Sequence, residues 1–397
     1  MQNKRNNWIY IILGVALIIR TYYIFSISFP PLAGDALFYD KMAKQFLETG
    51  VLGYNQTEPN AFVTPGFPIL LSLTYLIFGS KMIAFQLVQV IFSVITIWVI
   101  YQISLKFLGL NSSLFVAVLM TIYPSFIYAN GLLLTEVSFT LFFSLFLLTL
   151  FEGIENNRKF IFILSGLFLG VSVLIRPTPA TLVLPIIIYY FFHLKSKKNY
   201  VRALTYIGFF SFILVLPWWI RNYFLFDKVV LFSTSGSNPL LWGMHPYFVG
   251  VIETFEAIYK TNPDEITRNN MWAEKSKEMF FAQINQPEFV KWFVIGKLNY
   301  FWRLPWVENG EIAHLFEWLR KPLHLLLVIG GWIGICISIT RKHPIQILSI
   351  IIIVYTFLHQ IMLAIPRYAF PIMPYIIILF AFVLSVVVET FRKRSVK

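Results

Sequence analysis

Leu32-Ala33-Gly34-Asp35-Ala36-Leu37-Phe38-Tyr39-Asp40 follows directly on the first membrane-length apolar run, 8–27. The next residues place apolar side chains on one face of a helix and Asp40 among the polar residues of the other face, and Gly50 is positioned to end the helix. We expect this helix to lie along the membrane surface. Asp35 stands at its start, where a carboxylate either caps the helix N-terminus or serves the function of the protein.

The composition identifies the class of protein. Of 397 residues, 58% are hydrophobic and only 13% are charged, and the mean hydropathy is +0.71. A soluble domain usually has about a quarter of its residues charged. We therefore predict an all-α polytopic membrane protein. About ten apolar runs reach spanning length: 8–27, 82–105, 112–129, 131–151, 159–175, 180–194, 203–219, 322–340, 344–363 and 369–390.

Three further features complete this outline: a short apolar run, the type of the first span and the single cysteine. The apolar run 66–78 is short and follows Pro65, which predicts a re-entrant or juxtamembrane helix. The first apolar run lacks a small-residue cleavage site, so we expect it to be a retained span. Cys336 is the only cysteine, which excludes an intrachain disulfide and a cysteine-based metal site.

The distribution of charge predicts the orientation in the membrane. With the N-terminus placed in the cytoplasm, the inner segments hold 15 basic and 3 acidic residues, whereas the long outer loops, 28–81 and 222–320, hold 12 basic and 15 acidic residues. The net charge of +13 is therefore mostly the positive-inside signal, and no basic patch remains for nucleic acid. We expect one domain, over 1–397, that spans the cytoplasmic membrane of the cell. Both termini are then in the cytoplasm, and the functional site is on the outer face of the membrane.

The outer loops also have internal structure. Helix-start patterns predict two helices in the second loop, at about 264–284 and 286–303. All inner loops are short. The largest mass outside the membrane is thus on the outer side.

A few charged residues lie where the membrane makes charge costly. Glu136 is about five residues inside its span, counted from the outer end, and Arg176, Arg221 and Arg367 lie beside proline- and aromatic-rich turns at the outer level. The presence of any one of these arginines is explained if its own side chain extends to the lipid headgroups. As a group, they would suit a phosphate, since a guanidinium offers paired donors in a planar fork. The ligand indicated is a lipid phosphate with its tail in the membrane.

Metal binding receives no support from the sequence. The six histidines are scattered, and no metal-ligand spacing such as HExxH occurs. A divalent metal cofactor is possible but has no ligand motif behind it.

These features, taken in order, resemble the GT-C superfamily of membrane glycosyltransferases, especially the branch of protein O-mannosyltransferases and lipid A aminoarabinose transferases. The motifs that carry the resemblance run nearly end to end: Gly34-Asp35 with Tyr39, Thr64-Pro65-Gly66-Phe67-Pro68, Leu134-Thr135-Glu136, Arg176-Pro177, Pro217-Trp218 with Arg221-Asn222-Tyr223, and Arg367-Tyr368 with Pro371 and Pro374.

The resemblance implies inverting transfer of a sugar from a polyprenyl-phosphate donor to a lipid, glycan or protein acceptor at the outer face. It matches Asp35 to the catalytic base, and Glu136, Arg176, Arg221, Arg367 and Tyr39 are the candidate substrate-binding residues. The chemistry agrees with this assignment, because a sugar on lipid phosphate already has a leaving group and needs mainly a base and a cation clamp. Glu136 would hold substrate hydroxyls or orient an arginine.

The pattern departs from the family in places. Ala36 follows Asp35 where the mannosyltransferases commonly have Asp-Glu, Thr64-Pro65 replaces a double proline, and neither the aminoarabinose enzymes' zinc set nor the WWDYG motif is present. Two alternative functions remain open at this point. They are a transporter or flippase of a lipid-linked sugar, and a polymerase or ligase of lipid-linked polysaccharide.

Overall fold

The computed structural model describes residues 7–29, 31–54, 58–194, 196–262, 264–306 and 317–395, and the regular structure in these ranges is helical. Residue 30 and 55–57 of the predicted first outer loop, and 263 and 307–316 of the second, lie outside the described residues. The predicted all-α class is confirmed. The first ten helices are α1 (Trp8–Ser26), α2 (Gly34–Thr49), α3 (Gly66–Phe78), α4 (Met82–Leu105), α5 (Leu110–Ile122), α6 (Pro124–Tyr128), α7 (Glu136–Asn156), α8 (Lys159–Ile175), α9 (Thr178–His193) and α10 (Lys197–Phe226).

The second outer loop and the C-terminal part of the chain contain the remaining helices. The two helices predicted at 264–284 and 286–303 are found. The first is α13 (Glu265–Gln283), and the second is the run from α14 (Pro287–Lys291) to α15 (Lys297–Phe301), which are joined by a π-helical turn (Trp292–Gly296). The remaining helices are α11 (Asn238–Gly243), α12 (Val251–Thr261), α13 (Glu265–Gln283), α14 (Pro287–Lys291), α15 (Lys297–Phe301), α16 (Glu317–Thr340), α17 (Gln346–Ile361), α18 (Pro366–Ala369) and α19 (Met373–Ser395).

Every predicted span coincides with a helix or a helix pair. By length and composition six helical segments of the described chain are able to cross a membrane: α1, α4, α7, α10, α16 and the α18–α19 run. The pair α5 and α6, bent by 56°, would make a seventh. The three other predicted spans are α8, α9 and α17, which are apolar helices of 16 or 17 residues. The predicted short helix at 66–78 is α3.

Two small-residue motifs bring helices into close contact. On α8, Cβ atoms added at Gly166 and Gly170 would lie 2.7 Å from the Ile207 carbonyl oxygen and 3.0 Å from Leu214 Cβ, so α10 packs directly on this face. A Cβ at Gly334 of α16 would lie 2.5 Å from the Leu379 carbonyl oxygen of α19. Such four-residue spacing of small residues is a common device of helix association in membranes.

Helix α7 lies at the centre of the fold. Most of its residues are buried, among them Phe139, Phe143 and Phe146, and it packs against α4, α8 and the segment 370–372. Glu136 is its first residue. The central helix therefore begins with a carboxylate, on the side of the bundle where α2 and α18 lie.

Arg20, the charged residue inside the first span, has a structural role. Its guanidinium is fully buried and donates to Ser93 Oγ (2.8 Å) and to the carbonyl oxygens of Met120 (2.9 Å) and Thr121 (3.2 Å). These carbonyls are at the end of α5, and Pro124 has no N–H to donate to Met120. Arg20 therefore satisfies the helix end that the α5–α6 bend leaves open.

The amphipathic interpretation of α2 needs one correction. Gly50 ends the helix as predicted, in a left-handed conformation with φ 73°. Asp40, expected on the polar face, is instead buried between α2 and α3, where its carboxylate accepts from the Tyr75 hydroxyl (2.6 Å) and Lys44 Nζ (2.7 Å). A buried carboxylate needs such donors, and a tyrosine 35 residues away supplies one that the local pattern does not reveal.

Candidate active site

Four of the six predicted site residues form one connected chain of charges. Asp35 comes from the first turn of α2, Glu136 from the first turn of α7, Arg176 from the residue after α8, and Arg367 from α18. Ion pairs join them in the order Asp35, Arg367, Glu136, Arg176. Two carboxylates and two guanidiniums thus alternate, and the cluster has no net charge.

Asp35 is the exposed end of this chain. Arg367 Nη2 donates a hydrogen bond to Asp35 Oδ2, and the Asp35 side chain is 49% exposed. The N-cap position of α2 is Ala33, and no side-chain cap bond is made there. The carboxylate therefore faces the arginine, and the capping interpretation does not describe this structure.

Glu136 is the buried centre of the cluster. Its Oε1 accepts from Arg176 Nη2 at 2.6 Å and lies 4.0 Å from Arg367 Nε, while only 2% of the side chain is exposed. Arg176 Nε donates to Thr135 Oγ1 at 2.7 Å. Glu136 therefore pairs with Arg176 and lies within ion-pair distance of Arg367, and its role in orienting an arginine stays a prediction.

Two atoms of the cluster keep unused hydrogen-bonding capacity. Among the described residues, Glu136 Oε2 and Arg367 Nε have no hydrogen-bond partner although both are buried. Buried polar groups are nearly always paired, so such atoms often mark a site where a ligand binds. The cluster offers one acceptor and one donor to a substrate.

Tyr368 lies beside both arginines. Its ring centroid is 5.3 Å from the Arg176 guanidinium carbon and 5.5 Å from that of Arg367. Guanidiniums at this distance from a ring are attracted to its π-face. The tyrosine thus restricts both side chains without using their hydrogen-bond donors.

The Thr64-Pro65-Gly66 motif fixes the end of α8. Thr64 Oγ1 donates to the Ile175 carbonyl at 3.1 Å, and a Cβ added at Gly66 would lie 2.6 Å from the Leu174 carbonyl oxygen. Arg176 follows with extended backbone (φ −145°, ψ 136°), which turns its side chain toward α7. The motif therefore helps to position Arg176.

Tyr39, the fifth predicted residue, faces the same cluster. Its ring packs edge-on against Phe67 with centroids 4.8 Å apart. Burial raises the pKa of the Tyr39 hydroxyl, and the Asp35 carboxylate raises it further. The hydroxyl stays protonated at neutral pH and can donate a hydrogen bond.

Arg221, the sixth, makes a different set of contacts. It donates to the Leu52 carbonyl (3.1 Å) and to Asn222 Oδ1 (2.9 Å), and its guanidinium carbon is 4.8 Å from the Trp218 ring. These contacts tie the first outer loop to the end of α10. A role of Arg221 in substrate binding stays a prediction.

A buried carboxylate holds the first outer loop from the other side. Glu265 of α13 accepts from the Ala61 N–H at 3.2 Å and from the Thr234 hydroxyl, and burial raises the pKa of this carboxyl. The loop that leads into Thr64 is therefore anchored by the second outer loop.

The structure adds a cavity that the sequence did not predict. It has a volume of about 970 Å³, and Arg367 lies on its wall. Apolar and aromatic side chains form most of the remaining wall, with two further basic residues: Leu298, Tyr300, Trp302, Arg303, Leu304, Trp306, Lys321, Leu325, Val328 and Trp332 are among them. The long spacing between 298–306, 321–332 and 365–367 hides the cavity from a sequence reading.

The side chains that could ligate a metal ion in the fold are those of His, Cys, Asp and Glu. Within the ranges that the structure describes, no three His, Cys, Asp or Glu side chains are grouped so that they could hold a metal ion.

Comparisons with known proteins point to one superfamily. Residues 62–220 match the family model of dolichyl-phosphate-mannose-protein mannosyltransferases. The fold matches that of ArnT from Cupriavidus metallidurans bound to undecaprenyl phosphate, with a TM-score of 0.57 and 14% identity over 96% of this chain and 60% of that one. It also matches the Archaeoglobus fulgidus oligosaccharyltransferase in the apo form, with a TM-score of 0.58 and 14% identity over 99% and 52%. No curated protein sequence matches.

These matches confirm the predicted resemblance: the chain has the GT-C fold, and residues 62–220 carry the mannosyltransferase family pattern. The chain spans between half and two thirds of the length of the two solved structures. The match over residues 62–220 and the fold agree with the prediction of a membrane glycosyltransferase.

Proposed function

We propose that the protein transfers a sugar from a polyprenyl-phosphate donor to an acceptor hydroxyl or amide at the outer face of the cytoplasmic membrane, with inversion at the anomeric carbon. The observation that carries this proposal is the position of Arg367. The same guanidinium pairs with Asp35 and lies on the wall of the 970 Å³ cavity. An arginine thus joins an exposed carboxylate to a largely apolar pocket.

The cavity suits the donor lipid. Its apolar wall fits a polyprenyl chain, and Arg303, Lys321 and Arg367 supply positive charge for the phosphate. ArnT, which shares the fold, has been solved with undecaprenyl phosphate bound. A donor of the same chemical class is therefore the one we propose here.

The reaction needs a base and a stabilised leaving group. Asp35 accepts the proton of the acceptor as the acceptor atom bonds to the anomeric carbon, and the bond from that carbon to the phosphate oxygen breaks. Polyprenyl phosphate leaves with the electron pair, and Arg367 stabilises its developing charge. Glu136, which is paired with Arg176, helps to hold Arg367 in place, and the Tyr39 hydroxyl donates to a substrate oxygen.

The orientation in the membrane rests on charge. Asp35 and Tyr39 are in the first acidic outer loop, and Glu136, Arg176 and Arg367 are at the outer ends of predicted spans, whereas the basic excess is in the short inner segments. This supports a site on the outer face and both termini in the cytoplasm.

The test is incubation of the purified protein, in lipid nanodiscs, with a panel of polyprenyl-phosphate sugars and cell-envelope acceptors. We expect release of polyprenyl phosphate from one donor, and a glycosidic bond of inverted anomeric configuration in the product. Asp35→Asn protein is the matched control and should release none. Transbilayer movement of the lipid-linked sugar without cleavage would instead favour the transporter alternative.

A further inference from the structure

The helical run 287–301 in the second outer loop is apolar on two opposite faces. One face packs into the protein: Phe289, Trp292 and Phe301 are buried, and so is Lys297. On the other face Val294 and Ile295 are 57% and 55% exposed, and Val290 and Leu298 are exposed as well. A helix that is hydrophobic all round is buried in protein or in lipid, so the exposed half requires a covering.

The buried face is firmly anchored to the end of α17. Lys297 Nζ donates to the carbonyl oxygens of Met362 (2.6 Å) and Ile361 (3.4 Å), which are left open where α17 ends. Its ammonium is 4.5 Å from the centroid of the Phe293 ring. The orientation of the run is therefore fixed, and Val294 and Ile295 cannot turn inward.

A second link aligns the run with the lipid-facing side of α17. Gln360 Nε2 donates to the Phe293 carbonyl within the π-helical turn, whose wider winding frees such groups. On α17, Ile353, Phe357 and Ile361 are exposed at four-residue spacing, which makes one stripe along the helix. Because Gln360 is next to Ile361, the exposed face of 287–301 continues that stripe.

We propose that the run 287–301 lies in the membrane leaflet on the side of the candidate active site, with Val290, Val294, Ile295 and Leu298 among the lipid chains. The continuity with the α17 stripe favours lipid over a protein partner. Polar residues agree with this placement: the exposed Glu288 and Lys291 are both in the first helical turns, where a long side chain reaches the headgroups. Phe281 and Ile284, exposed at the end of α13, extend the same surface.

This placement has a consequence for the cavity. Leu298 and Asn299 are on the cavity wall, so the wall would border the lipid directly. If the donor is lipid-linked, as the proposed function states, its chain reaches the cavity from the membrane alongside this run. The lipid contact itself does not depend on that function.

The test is spin-label accessibility in nanodiscs. Cys336 is the only cysteine, so Cys336→Ser gives a background into which single cysteines are introduced at Val294, at Phe357 of α17 as a lipid-facing reference, and at Lys277 of α13 as a solvent-facing reference. All three side chains are exposed, so a label is accommodated without repacking. Collision rates with oxygen, which concentrates in lipid, are compared with those of a water-soluble nickel chelate.

We expect the oxygen-to-nickel ratio at position 294 to exceed that at 277 several-fold and to approach that at 357. A ratio equal to that at 277 would overturn the proposal by placing the face in water. Low rates with both reagents would overturn it too, because the face would then be covered by protein. None of these outcomes involves glycosyl transfer, so the result is independent of the proposed function.

Discussion

Arg367 donates a hydrogen bond to Asp35, a residue 332 positions earlier in the chain. The pair connects the first helix after the first span with the start of the last span, and Glu136 lies 4.0 Å from the same arginine. Under the proposed function this arginine also contacts the donor phosphate, so both substrates would meet at one side chain.

Asp35→Asn should abolish transfer and leave the fold intact. The amide is close in shape to the carboxylate and can still accept from Arg367, but it cannot take a proton from the acceptor. We expect turnover to fall by roughly 10²–10⁴-fold, the usual worth of a general base, with the KM for the donor little changed. Glu48→Gln removes an exposed carboxylate from the other end of α2 and serves as the matched control. Near-normal turnover of Asp35→Asn protein would exclude Asp35 as the base.

Arg367→Ala should weaken donor binding. A charge-assisted hydrogen bond contributes about 1.5–3 kcal/mol, so the affinity for a polyprenyl-phosphate ligand should fall roughly 10- to 100-fold. Arg367→Lys keeps the charge but loses the planar fork, so its affinity for the ligand should lie between that of the wild type and that of Arg367→Ala. The measurement is a binding titration with the phosphate alone, without sugar.

Arg221→Ala is the informative comparison in that titration. Arg221 contacts Leu52 and Trp218 in this structure, whereas Arg367 lines the cavity. If both variants lose affinity equally, Arg221 also acts on the donor, as the sequence predicts. If neither loses affinity, the donor phosphate binds elsewhere and the role of Arg367 is wrong.

Glu136→Gln should destabilise the protein as well as slow it. The carboxylate is buried and balances Arg176 at 2.6 Å, so its neutralisation leaves a buried guanidinium without its counter-charge. Breaking such a pair costs ~3–5 kcal/mol, which thermal unfolding in detergent would detect. The double variant Glu136→Gln, Arg176→Gln removes both charges and should recover part of the loss. Additive losses in the double variant would show that the two residues do not stabilise each other.

Hydropathy recovered the helices because it depends on local composition, whereas the orientation in the membrane stays a prediction. The run 82–105 and its neighbours are apolar over a spanning length whatever they contact. The four-residue charge cluster was also accessible, since each member is costly in or near the membrane and needs a reason to be there. What the sequence left open was which charges meet.

The misses have one physical cause. Asp40 was placed on a solvent face because its neighbours follow a helical period, but the Tyr75 hydroxyl on α3 makes its burial possible. Arg20 and Lys297 satisfy helix ends at Met120 and Met362, and such partners are far away in sequence. Periodicity reports the surroundings of a side chain and not the particular atom that it binds.

Lys297 gives a prediction that depends on pH. Burial lowers the pKa of its ammonium group to about 7, whereas in the unfolded chain it stays near 10.5. Between these values the unfolded state binds more protons than the folded state, so the free energy of unfolding should rise with pH, by up to about 1.4 kcal/mol per pH unit. Below pH 7 both states are protonated and this contribution is constant.

Lys297→Met removes that dependence and also leaves the Met362 carbonyl without its donor. The free energy of unfolding of the wild type should therefore rise relative to that of the variant as the pH is raised from 6 to 9. The measurement is thermal unfolding in detergent at each pH. Lys277→Met, which changes an exposed lysine of α13, is the control and should show no such trend. A difference between wild type and Lys297→Met that stays constant over this range would mean that Lys297 keeps an ordinary pKa.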